Sequence, residues 1–273
     1  MPELPEVETV RRTLGALVAG RRIIRVDVLE ARLRIRVARD FASFLSGRTI
    51  VDVQRRGKYL LLILDEKRVW VTHLGMSGKL IYVNAERRRE AHDHICAVLE
   101  NGFELRYHDP RRFGLAAAMP LGKLPSWPPL RGLGPDPLDA DFAVGGLYQR
   151  ARKSQRKIRD LLLDQKVVAG LGNIYSNELL FYAGIRPTVR AYKLSRQRVD
   201  KIAAIAPRLL REAIDWGGTS FSDYRDGQDR QGEFQARLSV YGREGEPCRR
   251  CEHAIKRVAL GNRSAFYCPS CQS

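Results

Sequence analysis

Four of the five cysteines stand in two pairs, Cys248-x2-Cys251 and Cys268-x2-Cys271, with sixteen residues between them. Knuckles at this separation bring four thiolates to the corners of a tetrahedron, the arrangement Zn²⁺ takes, and they hold a segment too short to bury a core of its own. A closed set of four thiolates leaves no open coordination position, so the expected cofactor is one structural Zn²⁺. Two disulfides are the alternative, against which stands the strain of pairing such knuckles and the absence of any export signal. The fifth thiol, Cys96, lies in a β-like run and reads as buried. Around the knuckles Arg249, Arg250, Lys256, Arg257 and Arg263 are opposed by Glu252 alone. That is a basic loop held stiffly, which suits a phosphate backbone.

The other end of the chain carries a second kind of chemistry. It begins Met1-Pro2-Glu3-Leu4-Pro5-Glu6. Loss of Met1, which the small Pro2 permits, leaves a free secondary amine at the mouth of a helix, able to attack an electrophilic carbon. Terminal amines titrate near neutrality, and the positive end of the helix dipole disfavours the protonated form. Glu3 places a carboxyl group beside it. The same residues also read as helix punctuation, with Pro2 and Pro5 at the start and Glu3, Glu6 and Glu8 complementing the dipole. His92, His94 and Cys96 share one face of an extended run, which leaves open a His, His, Cys metal site. Asn173 follows a Gly-rich turn at a helix start, an arrangement that serves an N-cap and an anion equally.

These residues need a scaffold, and the hydrophobic pattern supplies one in two styles. Val7, Val10, Leu14, Leu17 and Val18 recur at helical spacing, closed by Gly20. Short β-like runs follow at Ile23–Val28, Thr49–Val53, Tyr59–Leu64, Val69–Thr72, Ile95–Leu99 and Phe103–Tyr107, the pattern of a sandwich or barrel. Five prolines between Leu121 and Asp141 mark a linker. Beyond it Ile158–Leu163, Ile174–Ala183 and Val199–Ile214 read as helices, the last expected to kink or split at Pro207. From Gly217 to Gly232 the chain reads as a mobile loop. Its Asp223, Asp226 and Asp229 are spaced three apart and lack a closing Glu, which argues against calcium.

Composition bounds the partners. With 44% hydrophobic residues the chain is globular, and no apolar run approaches the roughly 20 residues a membrane span needs. The acidic start argues against a secretory signal, so a cytoplasmic protein is expected. There are 48 Lys and Arg against 31 Asp and Glu, a net charge of +17, and both halves lean basic. Charge spread in this way fits a folded surface that meets a polyanion, with nucleic acid first among the candidates.

Read together, Met1-Pro2-Glu3-Leu4-Pro5-Glu6-Val7-Glu8-Thr9 and the four-cysteine terminus closely resemble the bacterial formamidopyrimidine-DNA glycosylase (Fpg/Nei) family. So do Arg55-Arg56-Gly57-Lys58-Tyr59, His73-Leu74-Gly75-Met76-Ser77-Gly78, His92-Asp93-His94, Asp109-Pro110-Arg111-Arg112-Phe113-Gly114, Gly170-Leu171-Gly172-Asn173-Ile174-Tyr175, Val240-Tyr241-Gly242-Arg243 and Asn262-Arg263-Ser264. The resemblance runs essentially the full length. It implies an α+β protein: an N-terminal β-sandwich with an opening helix over residues 1–130, a linker over 131–150, a helix-two-turn-helix domain with a lesion-proximal loop over 151–235, and a zinc finger over 236–273.

The activity implied is that of a bifunctional DNA glycosylase and AP lyase excising 8-oxoguanine and formamidopyrimidines from duplex DNA. Pro2 would form a Schiff base at C1′, with Glu3 as acid and proton shuttle and Lys58 as a second cation, followed by β,δ-elimination. Once the lesion is flipped out, Met76 would fill the gap, Phe113 wedge the stack and Arg111 bond the orphaned cytosine. Asn173, Arg263, His92 and His94 would contact phosphates. The implied protein is a monomer, associated with the nucleoid, that prefers lesions opposite cytosine. Loop Ser220–Glu233 matches the family pattern least. An endonuclease VIII-type enzyme for oxidised pyrimidines and a non-catalytic binder of damaged DNA are the alternatives; the Arg111-x-Phe113 pair argues against the first, and Pro2, Glu3 and Lys58 together against the second.

Overall fold

The computed structural model describes residues 1–139, 142, 146–220 and 224–273. The chain forms two compact units, residues 1–131 with 216–235, and residues 132–215 with 236–273. In the first, helix α1 (Leu4–Val18) forms where the 3–4 spacing predicts, with Pro5 in its opening turn, and buries Val7, Val10, Leu14 and Val18. Eight strands follow: β1 (Ile23–Val28), β2 (Ile50–Arg56), β3 (Tyr59–Leu64), β4 (Arg68–His73), β5 (Lys79–Asn84), β6 (Asp93–Leu99), β7 (Phe103–His108) and β8 (Leu115–Pro120). A short helix, α2 (Phe41–Leu45), lies between β1 and β2.

The strands pair antiparallel in two four-stranded sheets, β1-β6-β7-β5 and β2-β3-β4-β8. One apolar core joins them, drawing Leu60, Leu62, Trp70, Leu80, Ile95 and Leu105 from the strands and Leu14 from α1. The sandwich is therefore present as expected. Strands β5 and β8 are not among the expected runs: β8, Leu-Ala-Ala-Ala-Met-Pro, carries little β-propensity and is made a strand by full pairing with β4, and β5 is one by its pairing with β7.

Segment 216–235 departs from expectation. The sequence reading groups it with the helices as a mobile loop, yet its described part belongs to the sandwich unit. Tyr224 is buried in the sandwich core, the Gly227 carbonyl accepts the Tyr82 N–H at 2.8 Å, and Lys79 and Arg87 pair with Asp229 at 3.8 and 3.4 Å. Anchors carried by single residues leave no period in the sequence, so the loop looks featureless there. Asp223 of the calcium pattern lies outside the described residues.

In the second unit, α4 (Gly146–Arg152) starts inside the expected linker, of which 140, 141 and 143–145 lie outside the described residues. Helices α5 (Ile158–Leu162), α6 (Asn173–Ala183) and α7 (Arg196–Asp215) follow; α3 (Pro128–Arg131) is a single turn at the end of the first unit. Helix α7 runs unbroken through Pro207, a correction to the expected split. Its buried face, from Val199 and Ile202 through Ala206 to Leu210 and Ile214, spans the proline, and that packing outweighs the one backbone bond lost. A hairpin of β9 (Lys256–Leu260) and β10 (Arg263–Tyr267) closes the chain. Among the described residues no helix is long and apolar enough to cross a membrane.

Candidate active site

The N-terminus is organised by its own helix. Glu3, 2% exposed, occupies the N-cap of α1, and its backbone N–H donates to Glu6 Oε2 at 2.8 Å. Pro2 is buried and Met1 exposed. One turn further, Glu8 accepts from Arg55 Nε at 3.0 Å, and the same guanidinium donates to the Gly57 carbonyl at 3.0 Å. This chain of contacts ties α1 to the β2–β3 turn carrying Lys58, which is buried. Burial raises the Glu8 pKa, but hydrogen bonds from Arg11 and Arg55 outweigh it and hold the carboxyl below its usual value.

Beside the turn lies a cavity of about 750 Å³ whose walls include Met1, Arg34, His73, Met76, Arg111 and Phe113. His73 Nδ1 accepts the Gly75 N–H at 2.9 Å, so the ring proton of the neutral imidazole sits on Nε2. Burial, then the charges of Lys58 and Arg34, hold this histidine down at about 3. It is therefore a neutral donor across the physiological range.

Two loops present the would-be intercalating residues together. Gly75, at φ +63°, lies against Gly114 so closely that a Cβ would stand 2.5 Å from the Gly114 nitrogen. Only glycine allows that approach. Met76 and Phe113 are consequently exposed, 39% and 47%, and the Arg111 guanidinium lies 4.7 Å from the Phe113 ring centroid. Buried Asp109 organises the second loop: its carboxylate accepts from Ser77 Oγ at 2.8 Å and from the Gly114 N–H at 2.9 Å.

The two histidines separate. His94 is buried, its Nε2 donating to the Asp109 carbonyl at 2.8 Å, whereas His92 is exposed and packs edge-on to both His94 and His108. A bulge between Asp93 and Ile95 breaks the alternation on which a shared face depends. Cys96 is buried, which pushes its thiol up to about 11. The His92, His94, Cys96 metal site is overturned: among the described residues, the group placed to hold a metal ion is the four cysteines.

The second unit holds Asn173, Arg263 and the cysteines. Gly172 takes the N-cap position of α6 and Asn173 is the first helical residue. Its Oδ1 accepts from Arg159 at 2.5 Å and its Nδ2 donates to the Ser264 carbonyl at 3.1 Å, so the side chain fastens α6 to the β9–β10 hairpin. Arg263 is exposed at the head of β10, near enough to Arg159 to help lower that residue's pKa, although burial is the larger cause.

The cysteine cluster fits a tetrahedral ion. With bonds of about 2.3 Å, tetrahedral sulfurs lie about 3.8 Å apart. Sγ separations here are 3.9 Å for Cys248–Cys271, 3.4 Å for Cys251–Cys268 and 3.3 Å for Cys251–Cys271, and all four atoms lie within 4.8 Å of one another. Backbone N–H groups of Arg250 and Cys271 donate to Cys248 and Cys268 sulfurs at 3.4 Å, as thiolates require. Bound there, Zn²⁺ supplies a structural cross-link and no chemistry.

Family models match along the chain in this same order: formamidopyrimidine-DNA glycosylase N-terminal domain at residues 1–116, its H2TH domain at 133–225, and the zinc finger found in FPG and IleRS at 245–273. The formamidopyrimidine-DNA glycosylases of Hahella chejuensis and Methylococcus capsulatus are 43% and 45% identical, each over 100% of both chains. The chain belongs to the formamidopyrimidine-DNA glycosylase family. The crystal structure of the MutM (Fpg) protein of Thermus thermophilus superposes with a TM-score of 0.89 at 38% identity, covering 99% of this chain and 98% of that one. A variant Lactococcus lactis Fpg in complex with DNA containing Fapy-dG gives 0.93 at 34% identity, with 99% of each chain covered. This glycosylase-family chain is thus a DNA-binding enzyme with one structural zinc.

Two buried acids that organise these segments are not among the residues the sequence singles out. Asp109 lies within one of the family motifs, and its one visible signal is an acid opening a Pro-containing loop. Glu178, buried in α6, accepts the N–H groups of Ser239, Val240 and Tyr241 at 2.8, 2.9 and 2.8 Å, setting the segment that leads into the zinc finger. A glutamate inside an apolar helix was its only signal.

Proposed function

We propose that the protein excises oxidised purines, 8-oxoguanine and formamidopyrimidines, from duplex DNA and then cleaves the strand, with Pro2 as nucleophile. Once Met1 is removed, the Pro2 nitrogen attacks C1′; the C1′–N9 bond breaks and the base leaves with a proton. Glu3 protonates the ribose ring oxygen as the sugar opens to an iminium. The iminium acidifies the C2′ proton, whose loss expels the 3′ phosphate, and a second elimination expels the 5′ phosphate. Lys58 supplies positive charge beside the reacting sugar. Met76 fills the vacated stack, Phe113 wedges it, Arg111 reads the orphaned cytosine, and His92, His94, Asn173 and Arg263 serve phosphate binding, His94 and Asn173 through the backbone they hold. The protein acts as a monomer in the cytoplasm, associated with the nucleoid.

The observation that carries this reading is the cavity that brings Met1, immediately ahead of Pro2, together with His73, Met76, Arg111 and Phe113. Borohydride trapping on 8-oxoguanine duplex tests it. Met1-processed protein is expected to trap; Met1-retaining protein, whose Pro2 nitrogen is an amide, is expected to bind the duplex and trap only at background. Full-rate trapping by the Met1-retaining form, verified by mass spectrometry, places the nucleophile elsewhere. Faster excision of thymine glycol than of 8-oxoguanine overturns the purine assignment.

A further inference from the structure

Glu6 lies one turn into α1, 1% exposed, and its carboxylate serves two segments far apart in the chain. Oε2 accepts the Glu3 N–H at 2.8 Å; Oε1 accepts the Thr219 N–H at 2.7 Å. The Glu6 carbonyl accepts the Tyr224 hydroxyl at 3.2 Å. Gly218, at φ +80°, packs so tightly that a Cβ would stand 3.0 Å from both Cγ and Oε1 of Glu6. A helix cap requires only the bond to Glu3. The second oxygen, spent on Thr219, does something a cap does not need.

We infer that Glu6 is a positioning residue for the reaction: one buried carboxylate registers the backbone of Glu3, next to the nucleophile, against the loop stem Gly218–Thr219. The inference rests on the reading that Pro2 and Glu3 carry out the chemistry. Two carboxylate oxygens accept two N–H groups at once, whereas a glutamine offers one oxygen and turns an N–H toward the other donor. A displacement of about 1 Å at a reacting group costs about a hundredfold in rate, so a brace shared between loop stem and N-terminus is felt in the chemical step.

The test uses full-length, zinc-loaded, Met1-processed protein carrying Glu6→Gln or Gly218→Ala, with the Met1-retaining wild-type sequence in parallel. Gly218→Ala keeps the carboxylate and presses on it from the loop side alone. Single-turnover excision of 8-oxoguanine at saturating protein is expected to slow by about tenfold or more in both variants. The Kd for a duplex containing a tetrahydrofuran abasic analogue should stay within about twofold of wild type. Full excision rates in both variants overturn the inference, as does a rate that falls only in step with DNA affinity and thermal stability, the mark of a merely structural role. Trapping by the Met1-retaining protein overturns the nucleophile reading instead, and that outcome is separate from the behaviour of Glu6.

Discussion

The two units are held together by different means. The sandwich unit has a broad apolar core in which both sheets, α1 and Tyr224 take part. The zinc-bearing end of the other unit has a small apolar cluster of Phe181, Val240, Ile255 and two of the cysteines. Polar side chains do the rest. Arg159, 1% exposed, and Asn173 reach the Ser264 carbonyl, Asn177 Oδ1 accepts the Phe266 N–H at 2.7 Å, and Gln272 bonds the Cys268 N–H and the Ile185 carbonyl. A non-directional core tolerates imperfect geometry. A polar lattice is strong only when complete, and here the metal completes it.

Removing zinc is therefore the largest perturbation. Structural Zn²⁺ contributes about 10–16 kcal/mol in isolated fingers, far more than the small cluster supplies. Chelation, or Cys268→Ser, should abolish DNA binding and strip hydrogen-exchange protection from residues 236–273 while 1–131 stay protected. Simultaneous loss in both units breaks the comparison. The converse is Leu14→Ala, which opens a cavity in the sandwich core and should cost about 2–5 kcal/mol in urea unfolding. Zinc stoichiometry should remain at one; a loss of metal would mean that the units share their stability.

The same contrast decides what could be read from sequence. Helix α1, six of the eight sandwich strands and the cysteine knuckles announce themselves through local spacing, and so does the Arg111–Phe113 loop through its motif. Long-range polar anchors do not. Asp109, Glu6 and Glu178 each gather donors from distant segments, and nothing in their own neighbourhood says so. Segment 216–235 groups with the sandwich through the single contacts of Gly227 and Tyr224, which leave no such mark. The His92, His94, Cys96 alternation failed at a bulge, a register fault that the residue types do not mark.

A final contrast separates the two units by what each arginine is expected to contact. Arg111, exposed on the sandwich unit and stacked on Phe113, sits on the loop assigned to the gap in the duplex. A guanidinium there donates to the O2 and N3 acceptors of an orphaned cytosine, whereas adenine offers N1 as acceptor but its N6 amine as a second donor. At about 1–3 kcal/mol for a good directional contact, Arg111 is expected to supply about a tenfold to hundredfold preference for lesions opposite cytosine. Such a preference would guard against mutation, since excising 8-oxoguanine opposite adenine would fix the error. Arg263, at the head of the zinc hairpin, is expected to meet phosphate, which carries no sequence. Arg111→Ala should thus flatten the ratio of single-turnover excision opposite cytosine to that opposite adenine. Arg263→Ala should weaken both contexts alike and reduce the salt dependence of binding by about one phosphate contact. If the ratio survives in Arg111→Ala at fixed salt, the orphan base is read by another side chain; if it shifts in Arg263→Ala, the division between a base-reading sandwich and a phosphate-holding hairpin is wrong.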